Sequence, residues 1–253
     1  MPRLAIALLG ATVAIACARG ATSLFEPCAH TPPALLTTHL EPADLDDPVL
    51  SDATYDVDLP HGTVTLEHVA DLRLGNGRIA AGNGYQASTG NGVTFVHVTG
   101  GTVVAPVTLA LLHDPRSGTR VAFAEVSLEA GDPVRWEEEN SLFIGTDGGD
   151  GGFVGGGTLP ASPGRTEAAS EAYLAVSARD PAHCAVRTSR KKGSAAVLFP
   201  TGVGDGGYPT LVGRDEFGDV VSIVSYTFLV PWALSGLPGT PPRLVAEETA
   251  KRR

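Results

Sequence analysis

Two stretches concentrate the residues that could do chemistry, "TDGGDGGFVGGG" at 146–157 and "GDGGYPTLVGRDEFGD" at 204–219. Each sets aspartates among glycines and follows them with an aromatic residue. Asp147 and Asp150 precede Phe153, and Asp205 precedes Tyr208, with Asp215 beyond. Carboxylates brought together can take acid and base roles or hold a hard cation, which prefers oxygen ligands. Asp147, Asp150, Asp205, Tyr208 and Asp215 are therefore the candidate functional loop residues. Their spacing does not match the EF-hand loop, which needs acids at alternate positions and a distal glutamate. Nor does it match the glycine-rich calcium repeat, which works in stacked tandem copies. The simpler use is a pair of tight turns, with glycine supplying positive φ and aspartate bonding its own backbone. The metal question stays open at this point, and no cofactor is implied.

The remaining signatures are weak. "GNGRIA" at 75–80 satisfies the loose dinucleotide pattern G-x-G-x-x-A, which has meaning only when a helix follows to aim its amino end at phosphate. The following "RIAAGNGYQ" leaves no room for one, so Asn76-Gly77 is read as a hairpin turn. The chain has no phosphate loop, no G-x-S-x-G elbow, no His-Glu-x-x-His and no Cys-x-x-Cys. Its 7 histidines are scattered, so none belongs to a recognisable ligand set. His68 and His97 fall in strand patterns. His183 precedes Cys184, but adjacency in sequence does not make a nucleophile and base pair. A formal charge of −10 excludes a nucleic-acid partner, because binding phosphate needs concentrated positive charge.

The elements that must position these residues are strands. Glycine (31) and proline (19) punctuate a chain with only 18 % charged residues, the composition of short strands joined by turns. Period-2 alternation begins at residue 63 and recurs through "VTFVHV", "TVVAPVTLALLH", "TRVAFAEVSL", "PVRWEEE", "SLFIGT", "AAVLF" and "DVVSIVSYTFLV". Pro106 predicts a strand edge or a bulge. Within 121–128, Ala122, Ala124, Val126 and Leu128 are assigned to one face and Val121, Phe123 and Glu125 to the other. "TEAASEAYLAVSAR", about 166–179, is the one predicted helix, rich in alanine and glutamate and closed by "DP". The expected fold is mainly β, a single antiparallel β-sandwich or barrel-like domain over 63–232 with one short helix.

The ends read differently. "MPRLAIALLGATVAIAC" carries Arg3 and then an apolar run too short to span a bilayer, the shape of an export signal over residues 1–17. "AIAC" resembles a lipobox, with alanine at 14 where leucine is usual, and makes Cys17 the candidate lipidation site. The expected location is the cell envelope or outside the cell, with a lipidated N-terminus as the only membrane contact. Plain secretion and a retained anchor are the alternatives. Residues 18–60, with prolines and acids from Glu41 to Asp58, are read as a solvated linker, and 235–253 as a flexible tail ending in "KRR". Of 3 cysteines, a lipidated Cys17 leaves Cys28 and Cys184 either to pair in an oxidising compartment or to remain thiols.

The order of these pieces resembles a bacterial family known as domain of unknown function 4241. The resemblance runs through "LRLGNGRIAAG", "GTRVAFAEVSL…DPVRWE" and "FIGTDGG", and is most specific in "AVLFPTGVGDGGYPTLVGRDEFGDVVSIVSYTFLV". It implies no activity. It does mark two departures: Thr227 stands where the family has an aspartate before Phe228, and glycine near Gly155 replaces an acid. The resulting expectation is a non-catalytic binding or scaffolding domain; the alternative is an enzyme or divalent-cation binder using the aspartates.

Overall fold

The computed structural model describes residues 24–34, 37–47, 50, 59–128, 131–157, 166–189 and 193–245. The stretch read as an export signal, residues 1–17 with Cys17, lies outside them. Fifteen strands are numbered in chain order: β1 Phe25–Pro27, β2 Ala43–Asp44, β3 Thr63–Leu74, β4 Arg78–Asn83, β5 Val96–His97, β6 Val103–Asp114, β7 Gly118–Ser127, β8 Arg135–Glu138, β9 Ile144–Thr146, β10 Asp150–Gly155, β11 Ala185–Arg187, β12 Ala196–Pro200, β13 Gly206–Tyr208, β14 Thr210–Arg214 and β15 Val220–Tyr226. Two helices, α1 (Gly84–Thr89) and α2 (Thr166–Ser177), join them. Among the described residues no helix is long and apolar enough to cross a membrane.

The fold is mainly β and antiparallel, as expected. A six-stranded sheet runs β1-β11-β12-β10-β4-β5, a seven-stranded sheet runs β2-β3-β6-β7-β15-β14-β8, and β13 and β9 form a two-stranded ribbon. The largest apolar cluster takes residues from both large sheets, among them Leu72, Leu109, Val126 and Ile223 of the seven-stranded sheet with Ile79, Phe153 and Phe199 of the six-stranded one. The other face of the seven-stranded sheet carries an aromatic cluster in which Phe123, Tyr226 and Trp136 meet Trp232. The other face of the six-stranded sheet packs under α1 and α2 through Ala87, Ala169 and Tyr173.

Several expectations change. "GNG" is no hairpin: β3 and β4 belong to different sheets, and Asn76 (φ 57) and Gly77 (φ 62) turn the chain from one layer to the other. Nor is the space after β4 too short for a helix. Asn83 caps α1 in a box, its side chain accepting from Gln86 N while the Gln86 side chain accepts from Asn83 N. Of "VTFVHV" only Val96–His97 pairs. Pro106 lies just beyond the last β6–β7 pair, Val107 with Val126, where β6 has β3 alone as neighbour.

The two-face assignment of β7 fails at one point. Phe123 pairs with Ala110 and Val121 with Leu111, so Ala122 is an extra residue, a bulge. Val121 therefore joins Ala124 and Val126 in the inter-sheet core, and Ala122 joins Phe123 on the aromatic side. Period 2 cannot reveal this, because one inserted residue inverts every face beyond it.

The stretch read as a linker is partly built into the domain, and so is the first part of the tail. β1 pairs with β11, β2 with β3, and Phe25, Leu40 and Leu45 are buried. Leu237 and Val245 are buried in the aromatic cluster, and the Trp136 indole donates to the Pro238 carbonyl at 2.8 Å. Prolines with acids in the first segment, and prolines with a basic tip in the second, marked them as solvated, but a few well-spaced apolar side chains suffice to dock an extended segment.

Candidate functional site

The two glycine-aspartate stretches do meet. Thr201 N donates to Gly149 O at 2.8 Å, and Thr201 Oγ1 and the Tyr208 hydroxyl both donate to Gly204 O, at 2.9 and 2.7 Å. A Cβ on Gly149 would stand 3.1 Å from Gly204 Cα, so the two backbones are packed side by side. β13 pairs with β9 at the start of the first stretch, setting Gly206 opposite Thr146. Burial raises the Tyr208 hydroxyl pKa above its ordinary value, with the charge of Asp205 adding to it and the hydrogen bond with Thr201 opposing it.

The carboxylates nevertheless do not all converge. Asp147 and Asp205 are exposed. Asp150, first residue of β10, is half-buried under α1 and α2, where it bonds the Tyr173 hydroxyl and the Gly84 amide. Burial raises its pKa above the usual carboxylate range despite those bonds. Tyr173 is raised in turn, by burial first and by the Asp150 charge second. Asp215 belongs to the other large sheet, in the β14–β15 turn, where Oδ1 accepts from Phe217 N and Asp219 N at 3.0 and 2.9 Å. The four aspartates do not form one cluster, and among the described residues no group of three His, Cys, Asp or Glu side chains is placed to hold a metal.

The expected role of the first stretch as a turn is corrected. Asp150–Gly155 is a strand in the interior of the six-stranded sheet, between β12 and β4. Its glycines answer crowding: a Cβ on Gly155 would lie 1.8 Å from the Arg73 carbonyl oxygen, and one on Gly152 2.5 Å from that of Val197. A side chain at Gly155 itself is therefore excluded here by the backbone of β3. The second departure from the family pattern also has a structural use. Thr227, fully buried, sets Oγ1 2.8 Å from both the Val121 and the Ala122 carbonyls, sharing its one proton between the acceptors that the β7 bulge frees. An ionised aspartate there would face two acceptors with no proton to give. The turn that follows puts Phe228 at φ 62, a conformation costly for a bulky residue.

Next to these loops Glu139, Phe143, Gly207, Pro209, Thr210 and Phe228 line a shallow cleft of about 180 Å³. Glu139 accepts from Ser141 N at its rim, while the Thr210 hydroxyl is buried without a hydrogen-bond partner.

Sequence reasoning missed the polar groups that fasten the N-terminal segment, residues 24–47, which we call the strap. Cys28 and Cys184, named from the sequence as a possible pair, are joined in a disulfide with Cα atoms 5.6 Å apart. His30 sits between carboxylates, its Nε2 2.7 Å from Asp180 Oδ2 and its Nδ1 against Glu67 Oε2. Burial opposes charge on His30, but the bonds and charges of Asp180 and Glu67 outweigh it and raise its pKa. His39 Nδ1 lies 2.6 Å from Glu125 Oε1, which also accepts from Ser222 Oγ at 2.6 Å, and His39 Nε2 lies 2.8 Å from the Gly131 carbonyl. Burial again opposes charge on His39, and Glu125, Gly131 and Asp132 prevail. Glu125 is fully buried, and burial favours its neutral form. His39, Ser222 and Thr38 nonetheless hold its pKa below the usual range. No local signal betrays these pairs, because partners lie 37, 86 and 150 positions apart.

A family model described as "Protein of unknown function (DUF4241)" matches residues 162–225. The match takes in α2, β11 to β14 and most of β15, hence the second glycine-aspartate stretch and not the first. No curated protein and no solved structure matches the chain.

Proposed function

We propose that this chain, whose residues 162–225 match the family model described as "Protein of unknown function (DUF4241)", is an exported, lipid-anchored domain with a binding or scaffolding role. The supporting observation is the Cys28–Cys184 bond, which ties the strap to β11 across 156 positions. Disulfides persist in oxidising compartments, and closing so long a loop removes about 5 kcal/mol of chain entropy from the unfolded state on the polymer model. The leader-like N-terminus points the same way. Lipid on Cys17 would occupy the third cysteine and leave the other two to each other. A tension applied at the anchor would then reach the β domain through a covalent bond rather than through β1 alone.

Binding is favoured over catalysis by how the acids are used. Asp150 holds Tyr173 and α1, and Asp215 closes a turn. The test is fractionation of the native host's cells with labelled palmitate. Label in the envelope fraction, lost in Cys17→Ala with release of the chain, supports the anchor. An unlabelled wild type beside a labelled control lipoprotein removes it, and a cytoplasmic chain with free Cys28 and Cys184 thiols removes export.

A further inference from the structure

Arg187 is the one side chain in the described structure whose charge is buried without an opposing charge. It retains 9 % of its surface, on the face of the six-stranded sheet that α1 and α2 cover. The register places Phe25, Arg187, Ala196, Val154 and Ala80 in one row across five strands, so the guanidinium rises from a row of apolar side chains. Its only hydrogen bond goes to the Ser88 carbonyl at the end of α1. No carboxylate pairs with it among the described residues. On that face Asp150 stands four residues along β10 from Val154 and is committed to Tyr173 and Gly84. Burial alone pushes the Arg187 pKa down, with no nearby charge opposing it. The contrast is internal: Glu125 and Asp180, also buried, are each matched by a histidine and by backbone or hydroxyl donors.

A buried ion without a counter-charge costs several kcal/mol, and one carbonyl does not offset that. A guanidinium presents five N–H donors in a planar fork that matches two oxygens of one anion. The N–H groups not used by Ser88 are not among the atoms sealed from solvent, which leaves an edge open to a ligand. A second cation shares the face. Arg78, two residues before Ala80 on β4, has a buried Nε with no hydrogen-bond partner and carries its guanidinium 5.5 Å above the Phe95 ring.

We propose that Arg187 anchors a small-anion site, in which its open N–H edge takes the two oxygens of a carboxylate or phosphate group on the helix-covered face of the six-stranded sheet. This deepens the binding role proposed above by giving it a ligand class. It is separable from export, since a cytoplasmic chain that binds anions would sink the location and leave the site standing.

The test is thermal melting of the purified, disulfide-bonded chain in sodium chloride against sodium phosphate and sodium acetate at equal ionic strength. At a hundredfold excess over Kd, the effective anion raises Tm by roughly 5 °C or more, saturably. A response to phosphate alone identifies a phosphate ligand, and one to acetate alone a carboxylate. Arg187→Met abolishes the response. Arg187→Lys, which keeps the charge and loses the fork, weakens it at least about tenfold in concentration. The proposal fails if neither anion moves wild-type Tm beyond chloride, or if the methionine variant responds like wild type. Should that variant not fold, an undiminished response in Arg187→Lys overturns it.

Discussion

The two glycine-aspartate stretches differ in where the same composition is put to work. In the first, Asp150–Gly155 is threaded between two strands and beneath two helices, and its glycines make room for other backbones. In the second, Gly204 carries a φ of 102 with nothing within 4 Å of where a Cβ would stand, and β13 pairs only with the short β9. Gly152 and Gly155 of the first stretch are needed because atoms are too close, Gly204 of the second because the chain must bend. A glycine in sequence does not distinguish these causes, yet they carry different penalties when a side chain is added.

Substitution measures that difference directly. Gly155→Ala is expected to cost about 3 kcal/mol, because its Cβ meets the fixed Arg73 carbonyl. Gly204→Ala should cost about 1 kcal/mol, from backbone conformation alone. Denaturant unfolding of the two variants checks the order, and equal losses would collapse the distinction.

The aspartates should divide in the same way. Asp150→Ala strands the buried Tyr173 hydroxyl and is expected to cost about 2 kcal/mol, whereas Asp205→Ala at an exposed position should fall within about 0.5 kcal/mol of wild type. Asp150→Asn sharpens the point. The folded-state pKa of Asp150 is raised, so its neutral form is the favoured one, and that advantage is full at acid pH and lost as pH rises through the folded value. Asparagine keeps an acceptor for Tyr173 without the charge. Its stability relative to wild type should therefore improve between pH 3 and pH 7, and a decline would refute the stated cause.

The strap obeys the same sign of linkage with different groups. His30, facing Glu67 and Asp180, and His39, facing Glu125 and Asp132, have raised folded-state pKa values. Their contribution is complete below an unfolded value of about 6.5 and fades as pH rises through the folded ones. Hydrogen exchange at β1 and residues 37–41 should accelerate above neutral pH in wild type, and less so in a His30→Gln, His39→Gln double variant. The smallest expected effect is that of added calcium or magnesium. With Asp150 turned inward and Asp215 in a separate turn, calorimetry is expected to show no binding heat at the glycine loops. Measurable heat that Asp147→Asn removes would revive a cation site there.

Much of this was legible before any coordinates. The β class followed from glycine, proline and alternation. Thr166–Ser177 was legible as a helix, because alanine and glutamate favour helix without help from neighbours. The misreadings share one cause. "GNG" was taken for a hairpin because Asn-Gly tolerates positive φ, which it does adopt, but the turn links two layers. The linker was judged by its acids and prolines, while Phe25, Leu40 and Leu45 found cover. The β7 bulge was invisible because the group that takes up its two freed carbonyls, the Thr227 hydroxyl, comes from 105 and 106 positions away.

Local chemistry thus settled which conformations each segment prefers, since backbone sterics, helix propensity and turn residues act within a few positions. Which backbone crowds Gly155, which carboxylates clamp His30, and why Arg187 meets only a carbonyl were decided when distant strands came together. Those outcomes depend on desolvation and on contacts of atomic range, and both exist only once the sheets are packed.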